Sequence, residues 1–165
     1  MNKYEELLQE ASDNGLTVEE KVPFDNLRIK GLYVDGTIAL NRILEKNCER
    51  YCVLAEELGH HATSDGNILD CKRTDCIKQE RKARVWAYDK TIALKGIIGA
   101  YEKRCSNLCE MADYLGVSEP YLNDALSYYK EKFGIYAKYN EYTIYFEPTL
   151  SVYKNLIGNP PSIYE

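Results

Sequence analysis

Histidine is scarce in this chain, and it contains no long apolar run. The 165 residues include two histidines, His60 and His61, so a metal site with three histidine ligands is excluded. No segment approaches the ~18 consecutive apolar residues that a membrane-spanning helix needs. The N-terminal MNKYEELLQEASDNG has neither the basic nor the apolar region of a secretion signal. We therefore expect a cytoplasmic protein that does not span a membrane.

Closely spaced cysteine pairs of the zinc-ribbon type are also missing. Six cysteines lie at positions 48, 52, 71, 76, 105 and 109, and their spacings do not match CxxC pairs. Cys48 and Cys52 are four residues apart in a segment typical of a helix, as are Cys105 and Cys109, so a bond within either pair would join points on one helix face. The favoured interpretation is thiols that act as small buried hydrophobic side chains, with a metal or redox role as the alternative.

Basic residues are few at the C-terminal end of the chain. Residues 105–165 carry four lysines and no arginine against eight acidic residues, a net charge of −4. Two predicted helices, 106–115 and 119–133, flank Gly116-Val117-Ser118 in a pattern like a helix-turn-helix, with a wing-like hairpin after it. A DNA-reading helix needs a basic footprint. We therefore expect this unit to recognise protein or to complete the core, and not to bind nucleic acid directly.

The spacing of apolar residues predicts an α+β fold. Alternating apolar residues around Asp35-Gly36 predict a hairpin of strands 29–34 and 37–43, and a further strand precedes them at 17–22. A helical period predicts the other elements, which are helices at 4–11, 45–62 and 76–101. A second hairpin is predicted at 135–146. We expect a small antiparallel sheet against a pair of helices in residues 1–104, with residues 105–165 packed on it as one compact domain.

A candidate metal-binding motif is formed by the segment Glu56-Glu57-Leu58-Gly59-His60. Residues four apart on a helix share a face, with Cβ atoms about 5–6 Å apart, so Glu56 and His60 are placed to bind one ion. Glu57 lies about 100° round the helix and reaches an ion-bound water from the side. The geometry is that of an HExxH motif with glutamate at its first histidine, which makes Glu56 and His60 ligands and Glu57 the general base. The alternative for such an acidic pair is solvated surface charge.

A third ligand is expected from the next helix, where Glu80 shares a stripe with Ala83 and Ala87. These two small residues, with Gly59 opposite, predict a close approach of the two helices. An acid on a close-packed helix face is costly without a counter-charge, and a metal ion supplies one. We therefore predict that Glu56, His60 and Glu80 bind a divalent metal and leave one position open.

At this point the sequence resembles a known family. The segments GLYVDGTIALNR, CVLAEELGHH, TSDGNI and KQERKARVWAYDK are similar to the ImmA/IrrE-type metallo-endopeptidases of phages and mobile elements, over roughly residues 16–134. The resemblance implies a helical zincin-like core and the same ligand set. It also implies cleavage of a partner protein, typically a helix-turn-helix repressor. The chain departs from the family pattern at Glu56, where the usual ligand is histidine.

The glutamate at position 56 changes the expected metal chemistry. Two carboxylates and one imidazole place about −2 of charge around the ion, so a bound water is less acidic than the pKa of ~7 found in strong zinc hydrolases. Zinc remains the expected metal, while the oxygen-rich donor set also suits manganese or iron. The prediction is a slow or conditional peptidase. The alternative is a catalytically weak or inactive binding module that sequesters a repressor or host protein.

Two further residues are candidates for auxiliary roles. His61 would contact substrate or orient a ligand, although an exposed or capping histidine is the more common case. Tyr88 lies two turns after Glu80 and would donate to an oxyanion. Because the chain has 15 tyrosines, a packing role is the favoured interpretation of Tyr88.

Overall fold

The computed structural model describes residues 1–64 and 73–155. Its helices are α1 (Lys3–Asp13), α2 (Asn47–Thr63), α3 (Arg73–Thr91), α4 (Ala93–Glu102), α5 (Leu108–Leu115) and α6 (Glu119–Phe133). Its strands are β1 (Thr17–Val22), β2 (Gly31–Val34), β3 (Thr37–Asn41), β4 (Tyr136–Tyr139), β5 (Tyr142–Tyr145) and β6 (Ser151–Lys154). The fold class is α+β, as predicted. The predicted turn cluster at 63–67 lies mostly outside the described residues, as do Cys71 and the C-terminal tail.

Polar side chains at the helix ends explain where several helices begin. Asn2 caps α1 by accepting from the Glu5 amide, and Ser118 caps α6 by accepting from the Tyr121 amide. These caps satisfy amides that have no partner within the helix. Gly116 ends α5 at a φ of 72°, a left-handed conformation that glycine adopts without strain. The two-helix unit therefore has the tight turn that its sequence predicts.

The first sheet differs from the antiparallel sheet predicted for it. The hairpin of β2 and β3 at Asp35-Gly36 is confirmed, but β1 pairs with β3 in parallel, in the order β1-β3-β2. Residues 23–36 form the connection that a parallel pair requires. The period-2 pattern identifies a strand without identifying its neighbour, which is why the direction was predicted wrongly. The order leaves β2 at an edge of the sheet.

The helix predicted at 76–101 is two helices. Helix α3 begins earlier than predicted, at Arg73. The break between the two helices falls at Ala93, which has a φ of 52°. Nothing in the local sequence signals this break, because alanine favours a continuous helix. The change of direction lets Ile97, Ile98 and Ala100 of α4 enter the core.

The C-terminal strands form a second, antiparallel sheet in the order β4-β5-β6. The predicted hairpin corresponds to β4 and β5, and β6 was not predicted. Buried residues of both halves, such as Leu54 and Leu122, belong to one hydrophobic core. The division at residues 104 and 105 stays a prediction. Within the described ranges, no helix is both long and apolar enough to cross a bilayer.

Candidate metal centre

Helices α2 and α3 approach one another closely beside the candidate site. A Cβ atom built on Gly59 would lie 2.3 Å from the Ala83 carbonyl oxygen, so only glycine fits there. Ala83 and Ala87 are both fully buried. The close approach predicted from these three small residues is confirmed.

This packing aligns the two helices residue by residue. His60 Nε2 lies 3.4 Å from Glu80 Oε1, so one turn of α2 faces one turn of α3. Stepping back one turn from His60 reaches Glu56, and stepping forward one turn from Glu80 reaches Arg84. Gly59, one residue before His60, meets Ala83, three residues after Glu80, so the contacts run in opposite order along the two helices and the helices are antiparallel. Glu56 and Arg84 are therefore the next residues to face one another, and both line the same cleft.

The contact between His60 and Glu80 favours the charged form of both groups. The hydrogen bond to Glu80 raises the pKa of His60, and the same bond lowers the pKa of Glu80. Burial of the imidazole opposes the rise. The Glu80 side chain is 58% exposed, so solvent screening keeps this pair modest in energy. The stabilising contribution of a raised His60 pKa is present at low pH and is lost as pH rises through it.

Glu57 is the buried acid of the site, with 9% of its surface exposed. Burial raises its pKa to about 7, while the neighbouring His60 and the Tyr33 backbone N–H act in the opposite direction. Strand β2 covers this carboxyl closely. A Cβ on Gly31 would lie 2.6 Å from Glu57 Oε1, so the strand can approach only because residue 31 is glycine. A carboxyl with a pKa near neutrality is suited to proton transfer.

Glu56 is half-buried and is not paired as His60 is. Burial raises its pKa, and Arg84 is the charged group that lowers it most. Within residues 1–64 and 73–155, no three His, Cys, Asp or Glu side chains stand close enough together to hold a metal ion. The structure therefore brings together two of the three predicted ligands, His60 and Glu80, and leaves Glu56 beside them.

All four predicted site residues open onto one cleft of about 740 Å³. One wall is the segment from Arg28 to Tyr33, which includes the start of the edge strand β2. The lining also includes Ser118, Pro120 and Tyr121, at and just before the start of α6. The C-terminal unit thus contributes directly to the cleft that contains the site.

The two auxiliary candidates occupy different surroundings. His61 is exposed, and its Nδ1 lies 2.8 Å from the Tyr33 hydroxyl, so it ties the end of α2 to β2. Tyr88 is buried and contacts Tyr121 and Tyr128. Burial raises the pKa of Tyr88 to about 12, as expected for a packed phenol. This position fits the packing interpretation of Tyr88.

Several cleft residues were not singled out from the sequence. Arg84 had a usable signal, because it lies four residues after Glu80 on the same helix face. Gly31 also had one, since glycine inside a strand often marks a close backbone approach. Tyr121 and Asp124 line the cleft from α6, and no local pattern connects them to a site 60 residues away. Only the tertiary packing identifies them.

The cysteines contribute little to this arrangement. Cys52 is buried, lines the cleft and accepts a hydrogen bond from the Ser118 amide at 3.5 Å. Burial raises its pKa to about 12, which keeps the thiol protonated and disfavours metal binding. Cys52 therefore fits the interpretation of a small hydrophobic side chain.

The chain matches no protein-family model, no curated protein and no solved structure among those compared with it. The resemblance to ImmA/IrrE-type peptidases accordingly stays a prediction. Any assignment of function rests on the chemistry of the cleft.

Proposed function

We propose that the protein is a metal-dependent endopeptidase that cleaves a partner protein in this cleft. The observation that carries the proposal is the buried Glu57 carboxyl, with its pKa near 7, beside the His60–Glu80 pair. Structural carboxylates are normally exposed or paired, and a burial that brings the pKa near neutrality is common in catalytic acids and bases.

The types of donor atom in the cleft suit a divalent cation. Glu56, His60 and Glu80 offer two carboxylates and one imidazole, donors suited to zinc and also to manganese or iron. Burial raises the pKa of Glu56, and the nearby Glu80 raises it further, so the cleft concentrates negative charge. A cation bound by these residues would supply Lewis-acid chemistry to the cleft. The remaining steps belong to the protein's own groups.

Glu57 is the proton carrier in this proposal. A carboxylate with a pKa near 7 accepts a proton from an attacking water and returns it to the departing amine. The Tyr33 N–H, on strand β2, donates a hydrogen bond to the Glu57 carboxyl. Gly31 keeps the same strand close enough for this contact. Strand β2 thus helps to raise the pKa of Glu57 by burying it, and it also fixes the position of the carboxyl.

The edge strand suits an extended protein substrate. The Asn41 amide donates to the Lys30 carbonyl at 2.9 Å, and Tyr33 pairs with Ile38. Because alternate residues of an antiparallel ladder point towards the partner strand, Gly31 and Tyr33 direct their backbone groups away from β3. The Tyr33 N–H on that side contacts Glu57, so the Gly31 groups and the Tyr33 carbonyl are the ones that would pair with a substrate. A substrate segment added at this edge would lie along the cleft. The family resemblance implies that the substrate is a helix-turn-helix repressor, and the acidic C-terminal unit gives no support for direct DNA binding.

The test combines metal analysis with partner cleavage. Elemental analysis of protein purified without chelator is expected to find one divalent ion per chain, reduced by His60→Ala. The purified protein is then incubated with purified helix-turn-helix repressors, the substrate class that the family resemblance implies, and cleavage is followed by mass spectrometry. Glu57→Gln is expected to reduce cleavage at least about 100-fold. Glu19→Gln, the same change at an exposed acid of β1, is the control and should cleave at the wild-type rate.

A second candidate is a non-catalytic binding module that sequesters the same partner. It is favoured by one observation, namely that Glu56 is not gathered with His60 and Glu80. The two candidates differ in a cell-based assay of repressor activity. If Glu57→Gln relieves repression as well as the wild type does, and the repressor stays intact, the peptidase proposal fails and the binding module replaces it.

A further inference from the structure

The two site helices carry an alternating set of charges. His60 and Glu80 form one opposed pair, and Glu56 and Arg84 form the next, one turn away. Arg84 lines the same cleft as the predicted ligands. Its guanidinium is not within 4 Å of a carboxylate in the described part of the chain, so it acts on the acids through space.

The protein has its own positive charge beside these acids, supplied by Arg84. Arg84 is the charged group that most favours the ionised form of Glu56, and it also favours ionised Glu80. Glu56 therefore has a resident counter-charge on α3, where a histidine ligand would need none. A divalent cation that binds Glu56 takes over this role and is repelled by the same guanidinium. Arg84 and the cation thus compete for one carboxylate.

We propose that Arg84 is the counter-charge of Glu56 in the cation-free protein, and that cation binding transfers Glu56 from Arg84 to the ion. This inference rests on the proposed metal site and deepens it, since it names the residue that sets the affinity. Arg84 is a positioning residue, because it acts through Glu56. The energy of the exchange depends on the opposed helix register that places residues 56 and 84 across from one another.

The experiment measures the affinity of Mn²⁺ and Zn²⁺ by competition with a chromogenic chelator. Arg84→Gln removes both the resident counter-charge and the repulsion, so it is expected to tighten binding about threefold to tenfold. Arg84→Lys keeps the charge and should stay close to wild type. Lys82→Gln is the matched control, because Lys82 is an exposed cation of the same helix outside the cleft lining. It should change affinity less than twofold.

Thermal unfolding gives a readout that does not depend on activity. In the presence of chelator, Arg84→Gln is expected to unfold at a lower temperature than Lys82→Gln, because Glu56 has lost its counter-charge. Saturating cation should abolish this difference. In a Glu56→Gln background, removing Arg84 should have a much smaller effect on the chelated protein, because only its weaker interaction with Glu80 is left.

The outcomes separate the two proposals. If the wild type binds one ion but Arg84→Gln binds it no more tightly, the role of Arg84 is overturned and the metal site stands. If neither protein binds an ion through His60, the metal site itself is overturned, and the inference falls with it. Equal effects of Arg84→Gln and Lys82→Gln would show general surface electrostatics and would also overturn it.

Discussion

Two regions of this protein bury polar side chains with opposite consequences for stability. In the aromatic region between α3 and α6, the Tyr121 hydroxyl lies 3.2 Å from Thr91 Oγ1, and the Tyr129 hydroxyl donates to Asp89 at 3.1 Å. In the cleft, Glu57 is buried beside other acids, and its pKa is raised. Hydrogen-bonded phenols stabilise a fold, whereas a buried carboxyl crowded by like charge destabilises it. The candidate site is therefore the region in which burial of a polar group lowers the stability of the fold.

The contact between α2 and α3 supports both regions, so breaking it should have the largest effect. Gly59→Ala places a methyl group against the Ala83 backbone, which cannot rotate away. We expect a loss of about 3 kcal/mol or more in unfolding free energy, together with weakened metal binding, because His60 and Glu80 separate. Urea unfolding and the chelator assay measure the two effects.

Gly96→Ala is the control for this change. Its added methyl group would meet the Leu115 Cδ2 atom at 2.9 Å, the mobile end of a side chain, and alanine also favours the helix. A small change is expected there. Equal losses at positions 59 and 96 would contradict the backbone clash at Gly59.

Replacing Glu57 should change the free energy of unfolding by an amount that depends on pH. The pKa of Glu57 is raised from 4.5 to about 7, so the folded state binds its proton more tightly than the unfolded state does. The destabilisation is absent below about pH 4.5 and grows as pH rises, becoming complete above about pH 7. Glu57→Gln removes it. We therefore expect the variant to be more stable than wild type by roughly 2–3 kcal/mol at pH 8.

Chemical unfolding in the presence of chelator at pH 5 and pH 8 checks this prediction. The gain at pH 8 should clearly exceed the gain at pH 5. A difference between the two proteins that does not vary with pH would mean that the Glu57 carboxyl is not strained by burial.

The aromatic region should respond in the ordinary direction of a lost hydrogen bond. Tyr129→Phe removes the bond to Asp89 and leaves the ring stacked among its neighbours. A loss of about 1 kcal/mol in unfolding free energy is expected. Tyr153→Phe is the control, because that side chain is 58% exposed, and it should leave stability unchanged. A neutral Tyr129→Phe would remove the contrast between the regions.

The smallest effect is expected at the break between α3 and α4. Ala93 has a φ of 52°, and its backbone amide contacts the Tyr129 hydroxyl. Glycine adopts this left-handed conformation without the steric cost that alanine carries. Ala93→Gly is therefore expected to stabilise the protein by less than about 1 kcal/mol, because the entropy cost of glycine offsets part of the relief. A lower melting temperature for this variant would argue for a continuous helix through residue 93.

Local patterns in the sequence were enough to predict much of the fold. Asp35-Gly36 predicted the first hairpin, and Ser118 with Pro120 predicted the start of α6. The parallel pairing of β1 was not predictable, because alternation in Thr17–Val22 identifies a strand and not its partner. Strand β6 was missed because it is short and follows a turn-rich segment. The first failure concerns an interaction between residues far apart in the chain, and the second concerns a strand too short for its alternation to be recognised.

The sequence by itself determined the relations within single helices. The spacing of Glu56 and His60 places them on one face, and the small stripe of Ala83 and Ala87 marks where another helix packs. The burial of Glu57 under Gly31 and the opposition of Arg84 to Glu56 were decided by the tertiary structure alone. The physical reason is that the helical period sets neighbours along one helix, whereas neighbours across two helices depend on packing register, which here is set where Gly59 meets Ala83.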